Sequence, residues 1–405
     1  MNYTLPQRLI ACALLTLSSA DLYAGYGPSA IGLGTESVGM AGADLAENDS
    51  AFASVTNPAG LTNISNGSFA SYIEAFSIAG QEYSDSVGNK SRVSNTHAAI
   101  FGSGIAFRPS PDSNWVVGLG AVAQGGVGYT FEELTTTSGN QDELSALFGI
   151  FRIAPSLGWQ ATEKLNLGAS INFNISQAEQ KVFPNTAIAP SGNDPGFAGL
   201  ELAELSGLSV TYRLGVEYNY SDLLSFGATY SSRTPLKLEN GEGTLNYAGL
   251  GKVHYNDVSI RGLSLASELG IGVSYQITDR LRLASDITWY DWSRAFRRTR
   301  VQLNHGDNSA APSHVSFTSQ NQFRDQIGLA VGAEYRWSDK TVLRAGAAYG
   351  RNPIPDAALS PTFGVNSEYH IATGFAYKFD KHWTLHGNMI YVFPVAQTYE
   401  NTSLP

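Results

Sequence analysis

Residues 165–175 read LNLGASINFNI, and in this stretch apolar side chains alternate strictly with small or polar ones. Side chains on a β-strand point to opposite faces with a period of two, so the stretch predicts a long strand with one apolar and one polar face. Residues 210–220 (VTYRLGVEYNY) and 281–289 (LRLASDITW) repeat the pattern. In a soluble protein the apolar faces would pack on one another. In a membrane barrel they would face lipid, and the polar faces would line the lumen.

The length and the ends of these segments favour the membrane arrangement. They run for about ten to sixteen residues, longer than the usual soluble strand. Their apolar faces end in aromatic side chains, which settle at the headgroup level and form girdles around such barrels. These aromatic residues are Trp115, Trp159, Tyr218, Tyr220, Trp289, Trp292, Tyr335, Trp337, Trp383 and Tyr391. A large secreted β-sandwich or β-helix is the alternative, and the repetition of the pattern argues against it.

The composition agrees with a barrel and excludes some functions. The chain has 405 residues, of which only 15% are charged, and a formal net charge of -10. No run approaches the roughly 18 apolar residues of a membrane-spanning helix. The acidic balance argues against nucleic acid as a partner, because its binding requires a basic surface.

The first residues have the features of an export signal. Arg8 gives a short basic start, residues 9–17 form an apolar core, and small residues follow. We therefore expect residues 1–24 to be a signal peptide, cleaved after Ala20 or near Ala24. Cys12 is the only cysteine and lies inside this segment. The mature chain would then have no disulfide and no thiol chemistry.

Residues 25–66 differ in composition and in hydrophobic pattern from the rest of the chain. The segment is rich in Gly, Ala, Ser and Asn and lacks long alternation, and Asn57, Pro58 and Ala59 predict a turn within it. A flexible export tail is the alternative. The segment carries too many apolar residues for a disordered tail, and a compact plug inside the barrel would bury them. They are Ile31, Leu33, Val38, Met40, Leu45, Phe52, Val55 and Leu61.

Several short motifs follow one another along the chain. Near the start are residues 24–26, the Gly-rich residues 32–42 and the sequence NPAGL at 57–61. Later motifs are WYDWS at 289–293, RAGAAY at 344–349 with PIPD at 353–356, and FAYKF at 375–379. In this order the motifs resemble the FadL family of outer-membrane transporters. The resemblance implies an all-β fold, a 14-stranded transmembrane antiparallel barrel plugged by an N-terminal hatch. It also implies uptake of long-chain fatty acids or aromatic hydrocarbons across the outer membrane of a Gram-negative bacterium.

Against the 14 strands of the family, the sequence predicts 13 in residues 67–405. The predicted strands are 68–79, 97–108, 115–130, 150–160, 165–180, 208–220, 223–239, 262–277, 280–300, 315–337, 341–350, 366–380 and 382–399. The chain stops at Pro405, and proline cannot donate to a ladder. We expect a fragment that lacks the last strand. The alternative is that the first and thirteenth strands pair, because an open barrel would leave two unsatisfied edges in lipid.

The resemblance also implies where a ligand would bind. In the family an aromatic residue near the N-terminus reaches the ligand pocket, and Tyr26 matches its place. Two loops form an apolar groove that captures the ligand first. Here residues 142–148 and 197–205 are predicted to be short amphipathic helices in such loops, although their apolar residues could equally pack the loops together. They are Leu144, Leu147, Phe148, Phe197, Leu200, Leu202 and Leu205.

A glycine cluster marks a candidate exit. In the family an inward kink of the third strand opens a side door into the bilayer. Here Gly125, Gly126 and Gly128 interrupt the alternation of the third predicted strand, and glycines inside strands mark bulges and bends. The alternative is that these glycines only make room for the hatch.

Charged residues on the polar faces have two interpretations. Arg213 with Glu217, and Arg282 with Asp286, are predicted to face the lumen, where they could bind a ligand carboxylate or pair across the lumen. The basic run at residues 294–300 could contact lipopolysaccharide phosphates or be a solvated rim.

The motifs of enzymes and metal sites are absent from the sequence. The seven histidines are scattered, without the spacing of a metal site, and no G-x-S-x-G elbow occurs. We therefore expect neither an enzyme nor a cofactor. We expect instead a monomeric passive channel in contact with outer-membrane lipid. A general porin, a barrel lipase and an adhesin are the alternatives.

Overall fold

The structure is a computed structural model that describes residues 25–78, 80–192, 195–361 and 367–398. The predicted signal peptide and the predicted truncated end lie outside the described residues. The strands are β1 Gly67–Ser77, β2 Glu82–Ser84, β3 Lys90–Arg92, β4 His97–Phe107, β5 Trp115–Thr135, β6 Gln141–Gln160, β7 Leu165–Ile188, β8 Phe197–Ser221, β9 Leu224–Ser231, β10 Thr234–Tyr247, β11 Gly251–Leu265, β12 Glu268–Thr278, β13 Leu281–Tyr290, β14 Arg298–Gly306, β15 His314–Gln320, β16 Gln326–Arg336, β17 Thr341–Gly350, β18 Tyr369–Lys378 and β19 Thr384–Val392. The helices are α1 Thr35–Gly39 and α2 Trp292–Ala295, with 3-10 turns at Ala51–Ser54, Pro58–Asn63 and Asp356–Ala358. No helix in the described ranges is long and apolar enough to cross a membrane.

Thirteen of the described strands form one antiparallel wall. Their order is β1, β4, β5, β6, β7, β8, β9, β12, β13, β16, β17, β18 and β19. Each wall strand overlaps one predicted strand, so the predicted antiparallel β fold is confirmed. The predicted bounds 223–239, 280–300 and 315–337 are wrong, because each of them joins a wall strand to part of β10, β14 or β15 across a break.

The wall has its apolar face outside. On β7, Ile171 is 55% exposed whereas its neighbour Asn172 is 1% exposed. A soluble protein would bury the isoleucine, so this inversion is the signature of a surface that faces lipid.

The connections distinguish the two ends of the wall. Turns of two residues join β8 to β9 and β12 to β13, whereas residues 351–368 join β17 to β18 at the other end. Short turns are typical of the periplasmic end and long loops of the extracellular, or outer, end. The rings of Trp115 and Trp159 stack 5.2 Å apart at the short-turn end, and those of Tyr349 and Tyr369 are 4.7 Å apart at the other. These pairs belong to the two expected girdles.

Trp292 does not belong to a girdle, and its assignment there was wrong. The side chain is fully buried. The chain leaves the wall at the end of β13 and turns into the short helix α2, which directs this ring into the interior.

Four further strands extend the wall at its outer end. They are β10, β11, β14 and β15, and they pair in the order β8, β10, β11, β14, β15. Short breaks separate them from the wall strands that they continue, for example residues 266–267 between β11 and β12. We call this extension the outer ladder.

The two predicted helices are wrong. Residues 142–148 lie in β6 and residues 197–205 lie in β8. Leu200 is opposite Val182 of β7 on one side and Leu245 of β10 on the other. Pairing with two neighbouring strands overrides the local amphipathic pattern, which is only a weak preference.

Candidate functional site

Residues 25–66, which we call the hatch, lie inside the wall. A Cβ on Gly168 would come within 2.2 Å of Ala59, and one on Gly215 within 2.1 Å of Asn57. Cβ positions on Gly227 and Gly346 would likewise clash with hatch backbone. Inward-facing glycines therefore allow the hatch backbone to touch the wall strands.

The turn at Asn57, Pro58 and Ala59 is fixed to both the hatch and the wall. The Asn57 side chain accepts the N–H of Ala59 at 3.1 Å, which caps a 3-10 turn that starts with Pro58. Its amide donates to the carbonyls of Leu45 at 2.6 Å and Val216 at 3.2 Å. The bonds to Ala59 and Leu45 are buried, so the loss of either would leave an unsatisfied polar atom.

Charged groups also join the hatch to the wall. Arg213 donates to the Thr56 carbonyl at 2.8 Å and to Glu268 at 2.6 Å. Arg282 lies 3.2 Å from both Glu47 and Glu334.

Arg213 does not pair with Glu217, and Arg282 does not pair with Asp286, because both arginines pair with carboxylates of the hatch or of other strands. Glu217 accepts bonds from Asn63, and Asp286 accepts the N–H groups of Asp44 and Leu45 at 2.8 and 3.0 Å. Sequence spacing could not show this, because the partners lie more than 150 residues apart.

Two hatch carboxyls have raised pKa values. Burial raises the pKa of Glu36 to about 7, with a further contribution from the charge of Asp49 and an opposing one from Arg344. Burial raises the pKa of Asp44 to about 6. Part of the hatch attachment is therefore sensitive to pH near neutrality.

Tyr26 begins a column of aromatic rings. Its hydroxyl donates to the Leu329 carbonyl at 3.0 Å, and its ring stacks on Tyr290 at 5.3 Å. Tyr290 stacks on Trp292 at 6.2 Å, and Trp292 is followed outward by Phe296 at 5.8 Å. The column extends from the hatch toward the outer end through the interior.

A cavity of about 80 Å³ lies beside Tyr26, between the hatch and the wall. Arg213, Glu268, Asp286 and Gln124 contribute to its lining. Oε1 of Gln124 has no hydrogen-bond partner in the described part of the chain. The cavity combines an aromatic edge with unsatisfied polar atoms.

Arg152 is a lumenal residue that the sequence analysis missed. Its side chain is 2% exposed, and its Nε donates to Asn174 at 2.9 Å. Nη1 has no hydrogen-bond partner among the described residues. A buried guanidinium with a free donor is costly, and a carboxylate is its usual partner. The available signal was its position on the polar face of β6, which it shares with several other residues.

The predicted groove residues divide into two clusters. Phe148, Leu202 and Leu205 are buried in the apolar interior of the outer half, and Leu200 packs against it. Leu144 belongs to a separate cluster with Phe131, Leu134 and Phe183, and Phe197 packs against that one. Leu147 is half-buried and belongs to neither.

The wall has a gap between β4 and β5. Their ladder ends at Gly102 opposite Val122, although β4 continues to His97 and β5 to Thr135. A bulge lies between Ala123 and Gly125 on β5.

Hatch and loop residues occupy the far side of this gap. Gly125 bridges to Ser29 of the hatch, and Asn95 of the loop before β4 donates to the Gly128 carbonyl at 3.2 Å. Gly126 lies opposite Gly149 of β6. The three glycines therefore lie at a real break in the wall.

Apolar groups line the gap on its inner side. Phe76, Ala98, Ile100 and Ala123 form a buried cluster there. Apolar side chains therefore fill the inner side of the gap.

These features define a class: an outer-membrane β-barrel whose N-terminal segment packs against the inner face of the wall. The model of the outer membrane protein transport family (OMPP1/FadL/TodX) matches residues 26–403. The chain belongs to this family, and the predicted resemblance and the outer-membrane location are confirmed.

Curated relatives and solved structures agree with this assignment. Outer membrane protein P1 of Haemophilus influenzae is 24% identical over 41% of this chain and 37% of its own length. A long-chain fatty acid transport protein of Salmonella typhi is 22% identical over 59% of this chain and 51% of its own length. The chain thus spans about half or less of these relatives.

Two solved structures share the fold. The P. putida toluene transporter TodX has a TM-score of 0.70 at 20% identity, over 87% of this chain and 89% of its own. A Pseudomonas aeruginosa FadL homologue has a TM-score of 0.69 at 17% identity, over 94% of both chains.

Proposed function

We propose that the protein takes up hydrophobic molecules across the outer membrane, and that long-chain fatty acids are its substrates. One observation carries this proposal: Arg152 is buried with a free donor, on the same face of β6 as Phe148 and Ile150, which belong to the apolar and aromatic interior. The apolar part suits an alkyl chain and the guanidinium suits its carboxylate. A neutral hydrocarbon would leave the guanidinium unpaired, so aromatic or aliphatic hydrocarbons are the second candidate.

The route starts in the loops and ends in the bilayer. The cluster around Leu144 and Phe197 would capture the ligand, and the ring of Tyr26 would contact it above the hatch. Release through the gap at Gly125 is favoured over release into water, because exposed apolar surface costs roughly 25 cal/mol per Å². The protein would act as a monomer, in contact with outer-membrane lipid and lipopolysaccharide.

Binding of matched ligands tests the role of Arg152. The affinities of oleate and oleyl alcohol should be measured for the wild type, Arg152→Met and Arg152→Lys. Arg152→Met should lower the affinity for oleate by about tenfold or more, because a charge-assisted bond is lost. The affinity for oleyl alcohol should be unchanged. Equal losses for both ligands would contradict the carboxylate site and favour the hydrocarbon alternative.

Uptake tests the gap. A double change, Gly125→Val with Gly126→Thr, would straighten β5, but a Cβ at Gly125 would also come within 2.4 Å of the Pro28 carbonyl oxygen. Ala123→Phe adds volume at the gap itself and leaves Gly125 unchanged. Oleate uptake should fall sharply for both proteins. Normal uptake by folded Ala123→Phe would exclude release at this position.

Two measurements distinguish the transporter from a general porin and from an adhesin. A hatch-filled barrel should show no steady ion conductance in a planar bilayer, whereas a general porin would conduct. An adhesin would leave oleate uptake unchanged when the protein is deleted.

A further inference from the structure

Basic side chains gather on the outward face of the outer ladder. Arg261 of β11 lies directly opposite Arg300 of β14, and Arg298 lies on the same face two residues away. Arg294 and Arg297 precede β14, and Arg324 precedes β16. All six are exposed. We call them the arginine patch.

Few carboxylates neutralise this patch. Glu239 lies 3.7 Å from Arg261, and Asp291, which is buried, lies 4.0 Å from Arg294. Among the described residues, Arg297, Arg298 and Arg300 make no ion pair within 4.0 Å. Like charges directly opposite each other on two strands destabilise a sheet, so this pairing opposes folding unless an anion lies between them.

The patch begins just outside the lipid-facing surface. Trp289, the last outward ring of β13, precedes Arg294 by five residues. Ile327, 56% exposed on β16, follows Arg324 by three residues, roughly 10 Å along a strand. In the outer leaflet of the outer membrane, lipopolysaccharide places its phosphates immediately outside the acyl chains.

We propose that the arginine patch binds the phosphates of lipopolysaccharide. Arginine is suited to this partner because its planar fork donates two parallel bonds to phosphate. Clusters of basic residues beside a membrane surface are typical of anionic lipid sites. Arg261, Arg298 and Arg300 would share one phosphate group, which removes the repulsion between the paired arginines. This site is separate from the lumen and does not depend on the transported substrate.

Binding to lipopolysaccharide tests the site directly. The patch variant is Arg261→Gln with Arg298→Gln and Arg300→Gln. Its control is Lys340→Gln with Lys378→Gln and Lys381→Gln, which removes the same charge from exposed lysines at the periplasmic turns. Each purified protein is first shown to be folded, by an unchanged heat-dependent gel mobility. Its affinity for deep-rough lipopolysaccharide, native or enzymatically dephosphorylated, is then measured.

The patch variant should bind native lipopolysaccharide on the order of 100-fold more weakly than the wild type. The control variant should bind native lipopolysaccharide as tightly as the wild type does. Dephosphorylated lipopolysaccharide should bind the wild type weakly, with about the affinity that native lipopolysaccharide has for the patch variant. Equal binding by wild type and patch variant, or no effect of dephosphorylation, would overturn the proposal.

A single variant gives a second test that does not need the triple change. In detergent free of lipopolysaccharide, Arg300→Gln should unfold at the same temperature as the wild type or higher, because it removes the charge opposite Arg261. Addition of lipopolysaccharide should stabilise the wild type more than the variant. A lower unfolding temperature of the variant without lipopolysaccharide would mean that the arginines stabilise the ladder themselves, and would contradict the site.

Discussion

The inner and outer halves of the lumen are closed in different ways. In the inner half the hatch packs against the wall, and its backbone touches wall glycines such as Gly168 and Gly346. In the outer half side chains of the outer ladder meet, and Leu238, Tyr255 and Leu303 are each fully buried there. A ligand therefore meets two barriers, one that can move as a segment and one that opens only when side chains repack.

The difference in packing predicts a difference in response to substitution. Close contacts with backbone cannot relax, so the inner half should be sensitive to added volume. The outer half is held by apolar side chains, so it should be sensitive to lost volume.

The largest effect is expected for Gly168→Val. The new Cβ would lie within 2.2 Å of hatch backbone at Pro58 and Ala59, so the hatch cannot dock in its present position. The variant should conduct ions in a planar bilayer, and the hatch should be cut by protease from the periplasmic side. The wild type should do neither.

Gly149→Val on β6 is the matched control, because nothing lies within 4 Å of its added Cβ. It should behave as the wild type does. Ion conductance by both variants would mean that a valine at either strand position opens the barrel. The contact between Gly168 and the hatch would then not explain the closure.

The same comparison explains what could be predicted from the sequence. Period-two alternation predicted the wall strands because lipid on one side and polar contents on the other impose opposite chemistry on the two faces. Inward glycines and asparagines, such as Gly168 and Asn172, carry this signal strongly in the inner half.

In the outer half the chemical contrast between the two faces of a strand is lost, because both the lumen and the surface contain apolar groups. Residues 197–205 consequently resembled a helix, whereas pairing with β7 and β10 makes them a strand. Arg152 was overlooked because its position matches ordinary polar positions. Its free Nη1 is a property of packing and cannot be deduced from sequence spacing.

A second prediction concerns the outer half. Trp292→Ala removes a fully buried ring between Tyr290 and Phe296 and should destabilise the protein by about 3–5 kcal/mol. Urea unfolding in detergent measures the change. Trp292→Phe keeps most of the volume and loses the bond from Nε1 to Gln326, so it should cost about 1–2 kcal/mol. Equal losses would mean that the hydrogen bond, rather than packing, stabilises this half.

A third prediction concerns the hatch turn. Asn57→Ala removes the cap of the 3-10 turn and leaves the carbonyls of Leu45 and Val216 without this donor, which should cost about 1–3 kcal/mol. Hydrogen exchange of residues 45–63 should rise, whereas exchange in the outer ladder should not. Asn57→Asp keeps the cap acceptor and should show an intermediate effect. A rise throughout the barrel would contradict independent closure of the two halves.

The smallest expected effect is a pH dependence restricted to the inner half. Glu36, with a pKa of about 7, lies 3.8 Å from Arg344 of the wall, and Asp44 has a pKa of about 6. Both values are raised by burial, so the docked hatch holds these protons more tightly than a released hatch would. Docking should therefore be most stable below about pH 4 and weaken as the pH rises from there to about 7. Hydrogen exchange of the hatch, corrected for the intrinsic effect of pH, should increase from pH 5 to pH 8, and Glu36→Gln should reduce that increase. Amides of the outer ladder provide the internal reference, and an equal increase there would show that pH acts on the whole barrel rather than on hatch docking.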